Sequence, residues 1–421
     1  MLRAFLQLRT NDVENKVDLT CFLRHSPILN MHWVAHISGA YSKGPKRVNH
    51  AAAAVGETIY TFGGYCTGDL SMYHSKGLID VHALSIHHLV WREIPRPPLD
   101  SEQHSLAPFQ RYGHTAVAYG KNIYIWGGRN DEFACNQLFL FNTKTWLWSA
   151  PQTTGVIPCS RDGHSACVID NQMFIFGGYE EEFERYSQDV YSLNLDTLCW
   201  TYVVTQGTPP ECRDFHTSTA IGNRMYIFGG RSDPHNIDID YYPNDVVYLD
   251  TDTRVWHRPE VHGQVPIGRR SHSAFLYGGL MYIFGGYNGL SKEHFNDLFR
   301  FCPVTNTWSE VETTGKNPNK RRRQVCIVIE DKMYLFGGTS PNLSQTAVRN
   351  ERDYQDNSLL DHDDLHVLDF RPTLKLLCML YILDNGLFIR DPRVLPGDII
   401  EDVGTLKERL RNSLSDAKTM Y

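Results

Sequence analysis

Six short runs of apolar and aromatic residues, each closed by two glycines, punctuate the chain: Ile59-Tyr-Thr-Phe-Gly-Gly64, Ile123-Tyr-Ile-Trp-Gly-Gly128, Met173-Phe-Ile-Phe-Gly-Gly178, Met225-Tyr-Ile-Phe-Gly-Gly230, Met281-Tyr-Ile-Phe-Gly-Gly286 and Met333-Tyr-Leu-Phe-Gly-Gly338. The first glycines stand at 63, 127, 177, 229, 285 and 337, so the copies recur every 50 to 64 residues. A period of that size marks a repeat architecture. Runs of this length, apolar throughout and rich in aromatic and β-branched residues, predict strands buried on both faces. The paired glycines predict a strand end where φ turns positive or backbones come close.

Each run has a fixed prelude. Arg47, Arg111, Arg161, Arg213, Arg269 and Arg321 stand sixteen residues before the first glycine. Three residues after the arginine comes His50, His114, His164, His216 or His272, with Gln324 in the sixth copy. Asn296-Asp-Leu-Phe-Arg-Phe301 and its cognates predict a third strand, and Trp91, Trp146, Trp200, Trp256 and Trp308 mark a fourth. The sixth copy has no such tryptophan after Asp364-Leu-His-Val-Leu-Asp369, and a spare one, Trp33, precedes the first copy. The N-terminal strand is therefore predicted to complete the last sheet, closing a ring and leaving no exposed sheet edge between first and last copies.

After Pro372 the period changes. Leu374, Leu377, Cys378, Tyr381 and Ile382 lie on one helical stripe, and Leu406, Leu410 and Leu414 on another. Pro372 suits a helix start. The predicted organisation is a disordered extension over 1–30, an all-β six-bladed propeller over 31–370 closed by an N-terminal strand, and a short helical tail over 371–421.

Composition narrows the function classes. The net charge of −7 disfavours a phosphate-backbone binder, so no nucleic-acid contact is expected. No apolar run reaches the length of a membrane span, and Arg3 and Arg9 interrupt the first apolar stretch, which makes a poor secretory signal. The ten cysteines form no C-x-x-C pair. They read as reduced thiols of a cytoplasmic and nuclear protein, with no metal or cofactor expected. No phosphate-cradling G-x-x-x-x-G-K, H-E-x-x-H or nucleophile arrangement stands out, so no enzyme is expected.

A feature present in every copy reads as architecture, so function is sought where the symmetry breaks. The residues after Gly-Gly are Tyr65, Arg129, Tyr179, Arg231, Tyr287 and Thr339; those after the leading arginine are Val48, Tyr112, Asp162, Asp214, Arg270 and Arg322. Copies four to six thus gather Arg231, Arg270 and Arg322. Copies two to four gather Asp162, Asp214, Asp131, Glu132 and the acidic segment from Glu180 to Glu184. A mouth basic on one side and acidic on the other suits a short peptide with an anionic end and a cationic side chain, because guanidinium forks bind carboxylates. Ordinary solvated loop charges are the alternative.

The six copies resemble the kelch repeat over about residues 33 to 370. The tail resembles two further motifs. Thr373, Leu374, Cys378 and Ile382 fit an elongin-binding BC box, and Leu395, Pro396, Ile399 and Val403 fit a cullin-2 box. Together with Arg-Asp-Gly-His-Ser-Ala-Cys (161–167), Gly-Arg-Arg-Ser-His-Ser-Ala-Phe (268–275) and Phe-Gly-Gly-Thr-Ser-Pro (336–341), they make the chain resemble the kelch-repeat substrate receptors of cullin-2 RING ubiquitin ligases. That resemblance implies elongin B/C and cullin-2 as partners and proteins with C-terminal glycine degrons as ligands. It implies Arg231 and Arg270 as the carboxylate clamp, with Arg322, Ser271 and Tyr179 beside them. Asp131, Glu180 or Asp162 would then favour a basic residue before the terminal glycine. A kelch scaffold for cytoskeletal or chromatin proteins, its tail packed on the ring, is the competing reading.

Overall fold

Each Gly-Gly run forms the second strand of an antiparallel sheet. In the third copy Ser165–Ile169, Gln172–Phe176, Val190–Asn194 and Cys199–Tyr202 pair in that order. The run is apolar throughout because both faces are covered: Met173, Ile175 and Phe176 are fully buried. Six such sheets make six blades. The computed structural model describes residues 31–36, 44–67, 77–233, 240–342, 359–373 and 376–377.

The ring closes as the unpaired tryptophan predicts. His32–His36 is an outer strand of the sixth blade, antiparallel to Leu365–Asp369, with Trp33 opposite Leu368. One tryptophan assignment is corrected. In the second blade the core position belongs to Trp148, opposite Phe141 and 4% exposed. Trp146 sits in the preceding turn at φ +60°, under the Arg92 guanidinium at 4.4 Å. Each outer-strand tryptophan packs on the aromatic that precedes Gly-Gly in the neighbouring blade. The six pairs, among them Phe62–Trp148 and Phe284–Trp33, have ring centroids 5.0 to 6.1 Å apart. These offset and edge contacts strengthen the packing between blades.

The sixteen-residue spacing has a direct cause. In blades two to six the arginine Nη1 donates to the carbonyl of the first glycine at 3.0–3.1 Å. These guanidiniums are buried, and most meet a carboxylate of their own blade. Arg161 meets Glu180 at 2.5 Å, Arg321 meets Asp364 at 2.7 Å, and Arg269 forks onto Asp297. Arg47 departs from the pattern, contacting the Asp80 carboxylate and the Lys46 carbonyl. The first glycine is required because the next blade's histidine, or Gln324 in the sixth, lies over it. A Cβ at any of these six glycines would come within 3.1 Å of that side chain. The leading arginines and histidines are therefore scaffold.

At the axis a further motif closes the ring. Asn49, Gly113, Gly163, Phe215, Ser271 and Arg323 each donate a backbone N–H to the carbonyl of the preceding member, at 2.7–3.3 Å, and Asn49 donates back to Arg323. All six have positive φ, between 48° and 67°. The eight cysteines among the described residues are free thiols, and no described helix is long and apolar enough to cross a membrane.

Burial holds the ring histidines neutral. His50, His164 and His272 are pushed from 6.5 down to about 3 by burial and then by neighbouring arginines. Above about pH 6.5 their contribution to stability is complete. As the pH falls toward about 3, the unfolded chain takes up protons that the fold does not, and stability is lost. Each such histidine costs about 1.4 kcal/mol per pH unit in that window. The substitution His164→Gln, which copies Gln324, is expected to preserve the fold and flatten the acid limb by about that amount. Urea unfolding across the window measures it, and an unchanged slope refutes the neutral, buried assignment.

Candidate functional site

The two sets of symmetry-breaking residues are partners in space. In every blade the residue after the leading arginine bridges antiparallel to the residue after Gly-Gly: Val48 with Tyr65, Tyr112 with Arg129, Asp162 with Tyr179, Asp214 with Arg231, Arg270 with Tyr287 and Arg322 with Thr339. The backbone ring at the axis comes one residue later in each blade. These pairs therefore rim one mouth, over a central hollow of about 130 Å³ lined by the ring histidines, Phe215, Ser271 and Arg323. A larger hollow of about 320 Å³ opens beside Arg185, Tyr186 and Glu211. Its cation is already engaged, Arg185 pairing with Glu180 and Asp189 at 2.8 and 3.6 Å, so the mouth is the better candidate.

On the acidic side, Asp162 is 7% exposed. Burial, and then the charge of Asp214, push its carboxyl from 3.8 up to about 7, against the pull of Arg129. Glu181 is held by Arg129 at 3.0 Å and by the Ala134 N–H at 2.9 Å. Asp131 is exposed and acts electrostatically on Tyr112. Tyr179 packs edge-on against Tyr186 at 5.4 Å. Glu180 is corrected to a scaffold residue. It is 1% exposed, with one oxygen bonded to Arg161 and the other to Arg185. Both oxygens are engaged within the scaffold, and the burial of the side chain keeps it from the mouth.

Arg231 is matched within the protein. Its Nε and Nη2 fork onto Asp214 at 3.2 and 2.7 Å, and its guanidinium lies 5.4 Å over the Tyr186 ring. Burial opposes its charge, but Asp214 more than offsets that and raises its pKa.

The other cations of the mouth differ. Arg270, Arg322 and Arg323 have no carboxylate partner among the described residues. They lie over tyrosines instead, Arg270 and Arg322 over Tyr287 at 5.5 and 4.5 Å and Arg323 over Tyr65 at 5.7 Å. The Nε atoms of all three and the Ser271 hydroxyl are buried without a hydrogen-bond partner. Burial, Arg323 and Arg270 push Arg322 from 12.5 down to about 9. Buried donors without partners are thus gathered around concentrated positive charge on this side of the mouth.

Residues 113–338 match the model of the KLHDC2/KLHL20/DRC7 kelch-repeats domain. The chain belongs to the kelch-repeat family. It is 45% identical to kelch domain-containing protein 3 of Bos taurus over 374 residues, covering 88% of this chain and 94% of that protein. The human protein of that name is 44% identical over 376 residues, with the same coverage. Human host cell factor 2 is 33% identical over 263 residues, 58% of this chain and 33% of that protein. The chain is thus a kelch-repeat scaffold.

Within this kelch mouth, sequence reasoning missed Arg323 and His294. Arg321-Arg322-Arg323 was a visible signal, but one member is scaffold, one lies on the rim and one sits in the axial ring. Of the tail, Thr373 is described: its hydroxyl accepts the Leu376 N–H at 3.2 Å and its carbonyl the Leu377 N–H at 3.0 Å. Thr373 rather than Pro372 caps the turn, and Pro372 is buried just before it. Leu374, Cys378, Ile382, Leu395, Pro396, Ile399 and Val403 lie outside the described residues.

The raised Asp162 carboxyl has a stability consequence. Between about pH 4 and pH 7 the fold keeps a proton that the unfolded chain has lost, so stability falls as the pH rises through that window. Asp162→Asn is expected to raise the melting temperature by at least about 2 °C at pH 8 and to leave it unchanged below pH 4. A drop at pH 8 contradicts the buried, strained carboxylate.

Proposed function

We propose that this kelch propeller is the substrate-recognition subunit of a cullin-2–elongin B/C RING ubiquitin ligase. In this reading the mouth captures the free C-terminus of a protein ending in glycine. The observation that carries it is the set of open donors: the Nε atoms of Arg270, Arg322 and Arg323 and the Ser271 hydroxyl. A desolvated cation without a partner is costly, and an incoming carboxylate removes that cost by taking two or more charge-assisted bonds. Ser271 and Arg323 belong to the axial ring, so the carboxylate would stand at the floor of the mouth. A terminal glycine fits there because a side chain would meet the ring. Arg231, its charge matched and its guanidinium held in place by Asp214, would add hydrogen-bond donors from the next blade. Asp131 and Asp162, across the mouth, would favour a basic residue just before the glycine. Binding, rather than bond chemistry, would be the activity.

The tail supports the ligase half. Thr373 caps a helical turn directly after the last propeller strand, at the first position of the BC-box pattern. Leu374, Cys378 and Ile382 would be the elongin anchors, and Leu395, Pro396, Ile399 and Val403 the cullin-2 contacts.

Each half has its own test. A fluorescent peptide ending in Arg-Gly with a free carboxylate should bind, and its C-terminal amide should lose at least about tenfold in affinity, the scale of one desolvated charge pair. Arg270→Gln should lose as much for the acid and little for the amide. Equal binding of acid and amide rejects the carboxylate clamp. In cells, Leu374→Ala with Cys378→Ala should abolish elongin B/C co-purification while the melting temperature stays within a few degrees. Retained elongin rejects the BC-box assignment and favours the scaffold reading.

A further inference from the structure

On the basic side of the mouth the positive charge exceeds what one carboxylate can neutralise. Arg231 is matched by Asp214 at 2.7 Å and Arg129 by Glu181 at 3.0 Å. Arg270, Arg322 and Arg323 remain, three cations against the single negative charge of a chain terminus. The donor count agrees. Arg270 Nε, Arg322 Nε, Arg323 Nε and Ser271 Oγ are buried and open.

His294 adds to them. It is 7% exposed, both ring nitrogens lack partners, and its ring stands 4.6 Å from that of Tyr287. As a neutral imidazole it offers one further N–H. Five open donors confront a carboxylate with about four lone-pair positions, and those positions cannot all be reached from blades on both sides of the mouth. Arg270 belongs to the fifth blade, whereas Arg323 reaches across to the Tyr65 hydroxyl of the first.

We infer that the bound peptide carries a second negative group, an aspartate or glutamate side chain upstream of its terminus, seated against Arg322 and Arg323 beside His294. The inference rests on the carboxylate reading above and narrows the ligand class to C-termini with a nearby acidic residue. Both long cations are already splayed on aromatic faces, Arg322 on Tyr287 and Arg323 on Tyr65, which limits the entropy lost when they engage the acid. The arrangement also sets polarity along the ligand. A basic residue would be drawn toward Asp131 and Asp162, and an acidic one toward the opposite rim.

The test uses the full-length protein and short fluorescein-labelled peptides ending in Arg-Gly. Glutamate or glutamine is placed third, fourth or fifth from the end, and each peptide is made as acid and as amide. At one of the three positions glutamate should bind about tenfold tighter than glutamine, as expected for a desolvated charge pair. That preference should disappear in Arg323→Gln and in Arg322→Gln and persist in Asp131→Asn. Arg323 is only partly buried, so its variant keeps the test open if Arg322→Gln fails to fold. Equal affinity of glutamate and glutamine peptides at all three positions overturns the inference. It leaves the clamp standing if amidation still abolishes binding, so the two readings fail separately.

Discussion

The structure depends on a circle of six backbone hydrogen bonds at its axis. One residue from each blade donates to the blade before it, and the circle has no free end. Every member must hold positive φ, which only glycine adopts at no cost. Two members are Gly113 and Gly163; the others, Asn49, Phe215, Ser271 and Arg323, bear the strain with side chains attached. Around the circle, in blades two to six, the leading arginines tie the first strand to its Gly-Gly corner. The histidine of the next blade then locks over that corner. The repeat is thus a set of interlocking couplings between neighbours, and a blade alone would leave most of them unmade.

This interlock explains why so much of the fold was legible. Sixteen residues separate arginine from glycine because a fixed side-chain reach must span them. Six copies of that spacing left little freedom, and the surplus tryptophan at 33 identified the closing strand. The misread positions are those where local sequence offered two equivalent candidates. Trp146 and Trp148 stand two residues apart, which would put both on one face of a strand, and only the turn at Trp146 and the pairing of Trp148 with Phe141 decide which one faces the core. Glu180 and Glu181 are adjacent acids, but the first ends a short strand and turns inward to Arg161, whereas the second opens a 3-10 turn and meets Arg129. No pattern in the sequence distinguishes an acid that completes the scaffold from one that faces the mouth.

The same principle separates scaffold arginines from mouth arginines. In most blades the residue just before the third strand is an aspartate, and it serves the buried arginine system: Asp80, Asp245, Asp297 and Asp364 each approach their own leading arginine. The second blade has Gln137 there, and Arg111 lies instead over Phe109 and Phe139 at 4.1 and 5.0 Å. Aromatic faces stabilise a cation more weakly than a carboxylate does and leave its N–H groups directed elsewhere. At Arg111 the glycine carbonyl takes one of them. At Arg270 and Arg322 on the rim, and at Arg323 in the axial ring, the same aromatic cradle exists, with the buried Nε–H groups unpartnered.

A ring held by redundant couplings can tolerate such local debts. Removing one satisfied repeat interaction would weaken two blades among six, whereas an unpaired rim cation weakens only its own neighbourhood. The strained Ser271 and Arg323 and the raised Asp162 carboxyl all fall within one residue of the rim, on the axial circle or beside it. Strain and desolvation collect where a ligand can relieve them. The couplings repeated in all six copies hold the frame that keeps those groups from collapsing onto one another. Rim chemistry can therefore change between blades without loss of the ring, and the departures from symmetry gather on the rim, where they cost the frame least.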